Sequence, residues 1–224
     1  MLDKRLQTIF DLLNEGMVVA DIGTDHAFLP IELINSNKAK HVYACDVALG
    51  PLNIAKENIK QYGLSDKITT IKTDGIKDVP SDCEAIVIAG MGYHTAKQIL
   101  LDSYDKLKDY KQIIVQINND VELLRQWISD NNFTIENERM VKVKHFYTII
   151  EFNTKYHEKY DEDSIMFGPK LLESKNKVFI EYLNYKLDKY NEILKQVTDI
   201  KKIELLKNNV NKIKQAINQC TLIK

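Results

Sequence analysis

Short apolar runs alternate with helix-like segments over most of the chain, and this alternation limits the possible folds more than any other feature. The runs occupy residues 17–21, 41–46, 68–72, 84–89 and 111–116. Helical patterns follow four of them, through residue 34, through residue 60, over 95–101 and over 121–131. Buried strands that alternate with helices are typical of parallel βαβ units. The pattern therefore predicts a doubly wound α/β fold.

Two further strand-like segments, 133–143 and 146–152, break the alternation. They lie too close together for a helix between them, so they predict an antiparallel hairpin at one edge of the sheet. Five βα units closed by such a hairpin favour the Rossmann-like sheet of class I methyltransferases over the sheet of dinucleotide-dependent dehydrogenases.

A boundary is expected near residue 160, where an acidic stretch at 158–163 precedes Phe167-Gly168-Pro169. We therefore predict one domain over residues 1–160 and a C-terminal helical domain over 161–224. Beyond the boundary, apolar residues recur mostly every three or four positions, which gives each helix one apolar stripe. A break near residues 198–199 predicts a coiled-coil-like helical hairpin, although one long helix is equally compatible with the pattern. Residues 1–16 predict an amphipathic helix and not a signal peptide.

The charge is unevenly distributed. The net charge of the chain is −1, yet the segment from Lys170 to the end holds twelve lysines against six acidic residues. Three widely spaced cysteines offer no zinc-ligand spacing, so no metal site is expected, and they favour a reducing, cytoplasmic location. Because no apolar run approaches the roughly 18 residues of a membrane-spanning helix, no membrane partner is expected.

The loop after the first strand contains Asp21, Gly23 and Asp25. A pyrophosphate-binding loop requires G-x-G-x-x-G, whereas this loop has one glycine and places two carboxylates where phosphates would lie. The loop therefore disfavours NAD and favours a ligand with a cationic part, such as the ammonium and sulfonium of S-adenosylmethionine. A purely structural turn is an alternative interpretation.

Acidic residues also follow the second and third strands, at Asp46 and at Asp74-Gly75. Ligands of doubly wound folds bind at the carboxyl ends of the strands, where Asp46 is placed for ribose hydroxyls and Asp74 for an adenine amino group. Helix capping by Asp46 and a plain Asp-Gly turn are the alternatives. Three acidic strand ends in succession are more specific than any one of them.

The fourth strand ends in Gly90-Met91-Gly92. The two glycines let a substrate approach the backbone, and Met91 is placed to pack against a base or the sulfonium, or is simply a core residue. The Asn/Asp-Pro-Pro-aromatic signature of amino-group methyltransferases is missing here. Its absence favours a ring nitrogen over an exocyclic amine as the methyl acceptor.

Together these segments resemble the bacterial tRNA adenine-N1 methyltransferases that act at position 22, the TrmK family. The matching segments are Arg5-Leu6, 21–30, Asp46-Val47 with Gly50-Pro51, Asp74-Gly75, 89–92, Phe167-Gly168-Pro169, Leu171-Leu172, Phe179 and Tyr182. The resemblance spans nearly the whole chain. It implies methylation of N1 of adenine 22 in tRNA, with S-adenosylmethionine as cofactor and in-line transfer to a flipped-out base.

The resemblance assigns Arg5 to the cofactor's carboxylate, with a solvated helix residue as the alternative, and the other roles follow from the positions and charges of the residues. We expect Asp25, His26 and Asn118 to form the catalytic pocket, although Asp25 as a helix cap and His26 as a structural histidine are alternatives. Cofactor binding is assigned to Arg5, Asp21, Gly23, Asp46, Val47, Asp74, Gly75, Gly90, Met91 and Gly92. RNA binding is assigned to Lys175, Lys177, Lys186, Lys189, Lys201 and Lys202, for which a solvated helix face is the alternative.

The chain departs from the family pattern at three places. Tyr93 stands where a further glycine is usual, Ile117 replaces the proline of Gln-Pro-Asn, and residues 143–145 replace an acidic stretch. These departures keep two alternatives open. One is a methyltransferase of the same fold that acts on a protein or small molecule, and the other is a cofactor- or RNA-binding module without turnover. A monomer is expected.

Overall fold

Seven strands form one sheet in the computed structural model, which describes residues 2–174 and 176–221, in the order β3-β2-β1-β4-β5-β7-β6. The strands are β1 Met17–Ile22, β2 Ala39–Asp46, β3 Ile68–Lys72, β4 Ala85–Met91, β5 Gln112–Ile117, β6 Thr134–Lys142 and β7 Phe146–Asn153. Strands β1 to β5 are parallel, and β7 lies antiparallel between β5 and β6. The predicted doubly wound sheet with an antiparallel edge hairpin is confirmed.

Helices cover both faces of this sheet. They are α1 Lys4–Leu12, α2 Phe28–Asn35, α3 Leu49–Gln61, α4 Tyr93–Asp102, a 3-10 helix at Tyr104–Asp109, α5 Val121–Asp130, α6 Glu162–Phe167, α7 Pro169–Ser174, α8 Lys177–Leu194 and α9 Ile200–Thr221. Within the described residues, no helix is long and apolar enough to span a bilayer, and no group of three or more His, Cys, Asp or Glu is placed to hold a metal ion.

The central strands are buried on both faces, as expected for a parallel sheet between helices. In β4, Ile86 and Ile88 belong to the core on one face, whereas Ala85 and Val87 belong to the core on the other. The period of two follows from the pleat. Since β1 to β5 all run in one direction, the loops that follow them gather at one edge of the sheet, and the candidate functional residues lie there.

The C-terminal hairpin of α8 and α9 has a core of its own, in which Phe179, Leu183 and Ile213 are fully buried. Met140 of β6 belongs to the same core, so the hairpin packs against the antiparallel edge of the sheet. The alternative of one long helix is wrong, because α8 ends at Leu194 and the Asp199 carboxylate accepts a 3.0 Å bond from the Lys202 N–H at the start of α9. The domain division between residues 160 and 161 stays a prediction.

Helices α6 and α7 were not predicted from the sequence. Gly168 separates them with a φ of +96°, and a side chain there would collide with the Glu138 carboxylate and with Arg125. Glu138 and Arg125 form a buried ion pair of 2.7 Å. Arg125 Nη1 also donates to the carbonyls of Ile165 and Met166, so the pair fixes α6 against α5 and β6.

Candidate functional site

The loop after β1 lies tightly between β2 and the end of β4. The N–H groups of Gly23 and Thr24 both donate 2.8 Å bonds to the Cys45 carbonyl. Gly23 has a φ of +81°, and a side chain at this position would collide with the Cε methyl of Met91. Only glycine is therefore compatible with both the backbone conformation and the space at this position.

Asp21 is a buried carboxylate, with 8% of its surface exposed. Burial raises its pKa to about 6; interactions with Thr24 and with the Arg5 charge lower the pKa, and Asp46 raises it further. Burial disfavours the charged form of a carboxyl group, and a nearby cation restores it. The position is therefore suited to a ligand that brings a positive charge.

Arg5 is held at the sheet edge by a hydrogen-bond network centred on Gln116. The Gln116 Oε1 atom accepts from Arg5 Nη1 at 2.7 Å and from the Gly90 N–H at 3.0 Å. Its Nε2 donates to Asn118 Oδ1 at 3.1 Å, and Asn118 Nδ2 donates to the Gly90 carbonyl at 2.7 Å. Gln116 is fully buried, and the sequence pattern assigned it no role. The signals in the sequence are a polar residue near the end of an apolar strand and the match of Gln116 to the glutamine of the family's Gln-Pro-Asn segment.

A cavity of about 260 Å³ opens between α1 and the β1 loop. It is lined by Asp3, Arg5, Leu6, Asp21, Gly23, Thr24, Asp25, His26, Ala27, Phe28, Leu29 and Ala89. Asp25 is exposed and lies 3.3 Å from His26 Nε2, and the His26 ring stacks on Phe28 at 5.1 Å. Because α2 begins after Ala27 without a side-chain cap, the interpretation of Asp25 as a helix cap is wrong.

A second cavity of about 180 Å³ adjoins the first and shares Gly23 with it. It is lined by Ile22, Gly23, Asp46, Val47, Thr73, Asp74, Gly75, Met91, Thr95, Gln98, Ile99 and Asp102. The Asp46 Oδ1 atom accepts from the Ala48 N–H at 2.8 Å, so this carboxylate also stabilises the turn into α3. Asp74 is exposed and lies 3.8 Å from Lys77.

Most residues predicted to bind the cofactor thus line these two adjoining cavities. Arg5, Asp21 and Gly23 line the first, and Asp46, Val47, Asp74, Gly75 and Met91 line the second with Gly23. Gly90 joins them through the Gln116 network. Gly92 precedes α4, and Asn118 lines neither cavity.

The candidate RNA-binding lysines differ in their surroundings. Lys177, Lys189, Lys201 and Lys202 are exposed on α8 and α9. Lys186 is largely buried, donates 2.8 Å to Glu122 and lies within 6 Å of the Tyr182 and Tyr190 rings. Burial lowers its pKa, but these partners outweigh burial and the pKa is raised. Lys186 therefore joins α8 to α5, and Lys175 lies outside the described residues.

Two departures from the family pattern prove to be core residues. Tyr93 and Ile117 have 6% and 2% of their surfaces exposed and belong to the same core cluster. Neither lines the two cavities described above. Both substitutions are accommodated by packing beneath the site, so they leave these cavities in place.

Comparison with known proteins identifies the family of this chain. The model of the TrmK family, described as tRNA (adenine(22)-N(1))-methyltransferase, matches residues 19–221. The Bacillus subtilis tRNA (adenine(22)-N(1))-methyltransferase is 29% identical over 230 aligned positions, which cover 100% of this chain and 95% of the relative. Mycoplasma capricolum TrmK in complex with S-adenosyl-homocysteine is 34% identical with a TM-score of 0.87, over 98% of this chain and 99% of that one.

A Streptococcus pneumoniae protein in complex with S-adenosyl-L-methionine is 29% identical with a TM-score of 0.89, over 97% of this chain and 100% of that one. These likenesses extend over both the sheet and the C-terminal hairpin, so they concern the whole chain and not only a common fold. Since the family model also covers most of the sequence, the chain belongs to the TrmK family of tRNA (adenine(22)-N(1))-methyltransferases.

Proposed function

We propose that this chain methylates N1 of adenine 22 in tRNA with S-adenosylmethionine, and that the base reacts in the cavity beside Asp25 and His26. The observation that carries the proposal is the pair of cavities that meet at Gly23. Their carboxylates and one arginine match the charges and hydroxyls of this cofactor, and the family membership of the chain gives the reaction.

The residues present fit S-adenosylmethionine. The buried Asp21 carboxylate and the Arg5 guanidinium lie at the first cavity, where they suit the ammonium and the carboxylate of the amino-acid end. Asp46 and Asp74 line the second cavity, where they suit the ribose hydroxyls and the adenine amino group. Gly23 turns the chain where the two cavities meet, in a positive-φ conformation that favours glycine.

When bound, the cofactor supplies a methyl group on a positively charged sulfur. The N1 atom of adenine has an available lone pair, so the protein needs no strong general base. The main contribution of the chain is to hold the base in line at near-contact distance. Asp25 and His26 line the cavity. Asn118 lies outside it and bonds to Gln116 and to the Gly90 carbonyl, so the role proposed for Asn118 is to position the end of β4 beside the base.

Adenine N1 lies on the Watson–Crick edge, so the base must leave any pair or stack before it reacts. Phosphate contacts from the exposed Lys177, Lys189, Lys201 and Lys202 offset that cost. Cys45 and Cys83 are buried thiols outside any disulfide, which supports the cytoplasmic location. A monomer stays a prediction, and light scattering on the purified protein tests it.

Methyl incorporation from labelled S-adenosylmethionine tests the proposal. A bacterial tRNA transcript is compared with the same transcript in which adenine 22 is changed to guanine. Label in the first and none in the second is the expected result. Label in both contradicts the assigned nucleotide. Label in neither, with cofactor binding shown separately, favours a protein or small-molecule acceptor or a module without turnover.

A further inference from the structure

A third cavity, of about 310 Å³, lies beyond β5 at the same edge of the sheet. It is lined by Ile117, Asn118, Asn119, Asp120, Val121, Glu122, Arg125, Met140, Phe146, Thr148, Met166, Phe167, Tyr182 and Lys186. It shares no lining residue with the two cofactor cavities. Asn118 links it to them, because this residue lines the cavity and also bonds to Gly90 and Gln116.

The cavity has an aromatic wall. The rings of Phe146 and Tyr182 meet at 5.4 Å with an interplanar angle of 63°, and both residues are half-buried. Buried apolar residues, among them Ile117 and Met140, complete this side. Half-buried rings beside a cavity of this size suit a flat aromatic ligand, because stacking needs only a π-face.

The polar side of the cavity consists of amides, carboxylates, Thr148 and two cations that are already in ion pairs, Arg125 and Lys186. Asp120 is exposed and follows Asn119, and Glu122 holds the one lysine that lines the cavity, Lys186, at 2.8 Å. A phosphate group would meet the carboxylates of Asp120 and Glu122, and both cations of the lining are already paired with carboxylates. Amino and ring N–H groups of a nucleobase, in contrast, are donors that carboxylates and amide oxygens accept.

The backbone at Asp120 is also unusual, with a φ of +55° and a ψ of +41°. Non-glycine residues seldom adopt this left-handed conformation, and such residues cluster at functional sites. Asp120 begins α5 in this conformation without capping the helix with its side chain. The strain is thus not explained by helix capping.

We propose that this cavity binds a second unpaired base of the tRNA, near the methylated adenine in the RNA but distinct from it. The inference rests on the proposed function. The cavity shares no lining residue with the two cavities assigned to the cofactor, and the reacting base must adjoin the cofactor, so the third cavity suits a neighbouring base. Tyr182 contributes stacking, and Asp120 contributes a hydrogen-bond acceptor.

The salt dependence of tRNA binding, measured without turnover, tests the inference. Tyr182→Leu is expected to weaken tRNA binding about tenfold. The slope of log affinity against log salt concentration is expected to stay unchanged, because a contact to a base, unlike a contact to a phosphate, releases no counterions. Tyr182→Phe retains the ring and is expected to bind like the wild type. Asp120→Asn retains the left-handed backbone but loses the charge, and is expected to weaken binding severalfold. The double variant Lys201→Ala, Lys202→Ala is the contrast, with a shallower salt slope.

A series of tRNAs, each lacking one base near adenine 22, identifies the bound nucleotide. For one of these abasic tRNAs, the affinity for the wild type is expected to be about tenfold lower than that of intact tRNA. For the Tyr182→Leu variant, the same abasic tRNA and intact tRNA are expected to bind with equal affinity, because the contact is already lost. The inference is overturned if the losses of binding free energy from Tyr182→Leu and from base removal add at every position. It is also overturned if the Tyr182→Leu variant melts like the wild type and binds tRNA with wild-type affinity. If that variant also methylates adenine 22 normally, only this inference fails. If the wild type does not bind tRNA, the proposed function fails with it.

Discussion

The Nη1 atom of Arg5 donates a 2.7 Å hydrogen bond to the Oε1 atom of Gln116, a residue 111 positions further along the chain. The same oxygen accepts from the Gly90 N–H at 3.0 Å. One buried amide thus joins α1, the end of β4 and the end of β5. Arg5 lines the first cavity, whereas Gln116 does not, so we predict that Gln116 affects cofactor binding by positioning Arg5.

Replacing Gln116 with Leu removes the acceptor shared by Arg5 and Gly90. Unsatisfied buried donors cost about 1–3 kcal/mol, so the free energy of unfolding is expected to fall by that amount. The affinity for S-adenosylmethionine is expected to fall about tenfold, because Arg5 loses its fixed position. Denaturant unfolding and calorimetric titration measure the two effects.

Gln112 provides the matched control, because it is a buried glutamine at the opposite end of the same strand. It accepts from the Asn14 N–H at 3.0 Å and donates to the Leu12 carbonyl at 2.9 Å, away from both cofactor cavities. Gln112→Leu is expected to lower stability by a similar amount and to leave cofactor affinity unchanged. Equal loss of affinity in both variants would show that Gln116 is merely structural.

The candidate site was predictable from the sequence only in part. Asp21 and Asp46 lie at the carboxyl ends of β1 and β2, and Asp74 follows β3. Parallel strands bring their carboxyl ends to one edge, so local order was sufficient to group these residues. The role of Gln116 was not predictable, because its partners Arg5 and Gly90 lie 111 and 26 residues away. No periodicity in the sequence reports contacts of that range.

Gly23→Ala is expected to weaken cofactor binding about tenfold. The substitution forces a side chain into a left-handed backbone conformation and into contact with Met91. Gly63 is the matched control, since its φ of +68° is similar but no atom lies within 4 Å of the added methyl group. Gly63→Ala is expected to cost about 1 kcal/mol of stability from strain alone, with cofactor affinity intact. If Gly63→Ala also lost cofactor affinity, the contact with Met91 would not be the cause of the loss in Gly23→Ala.

Glu138→Ala is expected to destabilise the protein by about 3–5 kcal/mol, because it leaves the Arg125 guanidinium buried without its charge partner. Both side chains are almost fully buried, with 3% of Arg125 and none of Glu138 exposed. Thermal unfolding measures the loss. The exposed pair between Glu192 and Lys195 is the control, and Glu192→Ala is expected to melt like the wild type. Equal melting of both variants would contradict a stabilising role for the buried pair.

The fold was predictable where its signals are local. Alternating runs and helices gave the sheet, and two apolar stripes indicated the C-terminal hairpin. Helices α6 and α7 were not predicted because each has only six residues, and a single residue, Gly168, separates them. Their positions depend on the Arg125–Glu138 pair, whose members come from α5 and β6. Tertiary contacts, and not local periodicity, therefore determine this part of the chain.

The raised pKa of Asp21 predicts two pH dependences. In the cofactor-free protein, the folded state binds a proton more tightly than the unfolded chain, since the pKa rises from 3.8 to about 6. The contribution of Asp21 to the free energy of unfolding is therefore greatest below pH 4. This contribution falls by about 3 kcal/mol as the pH rises to 6 and beyond.

Cofactor affinity is expected to change in the opposite direction, because the ammonium of S-adenosylmethionine requires the charged carboxylate. Affinity is expected to fall about tenfold per pH unit below pH 6 and to be flat from pH 7 to 8. Asp21→Asn removes both dependences and is expected to bind the cofactor more weakly at every pH. Calorimetric titrations at pH 5, 6, 7 and 8 measure the affinity. A wild-type profile parallel to that of Asp21→Asn would show that Asp21 does not contact the cation.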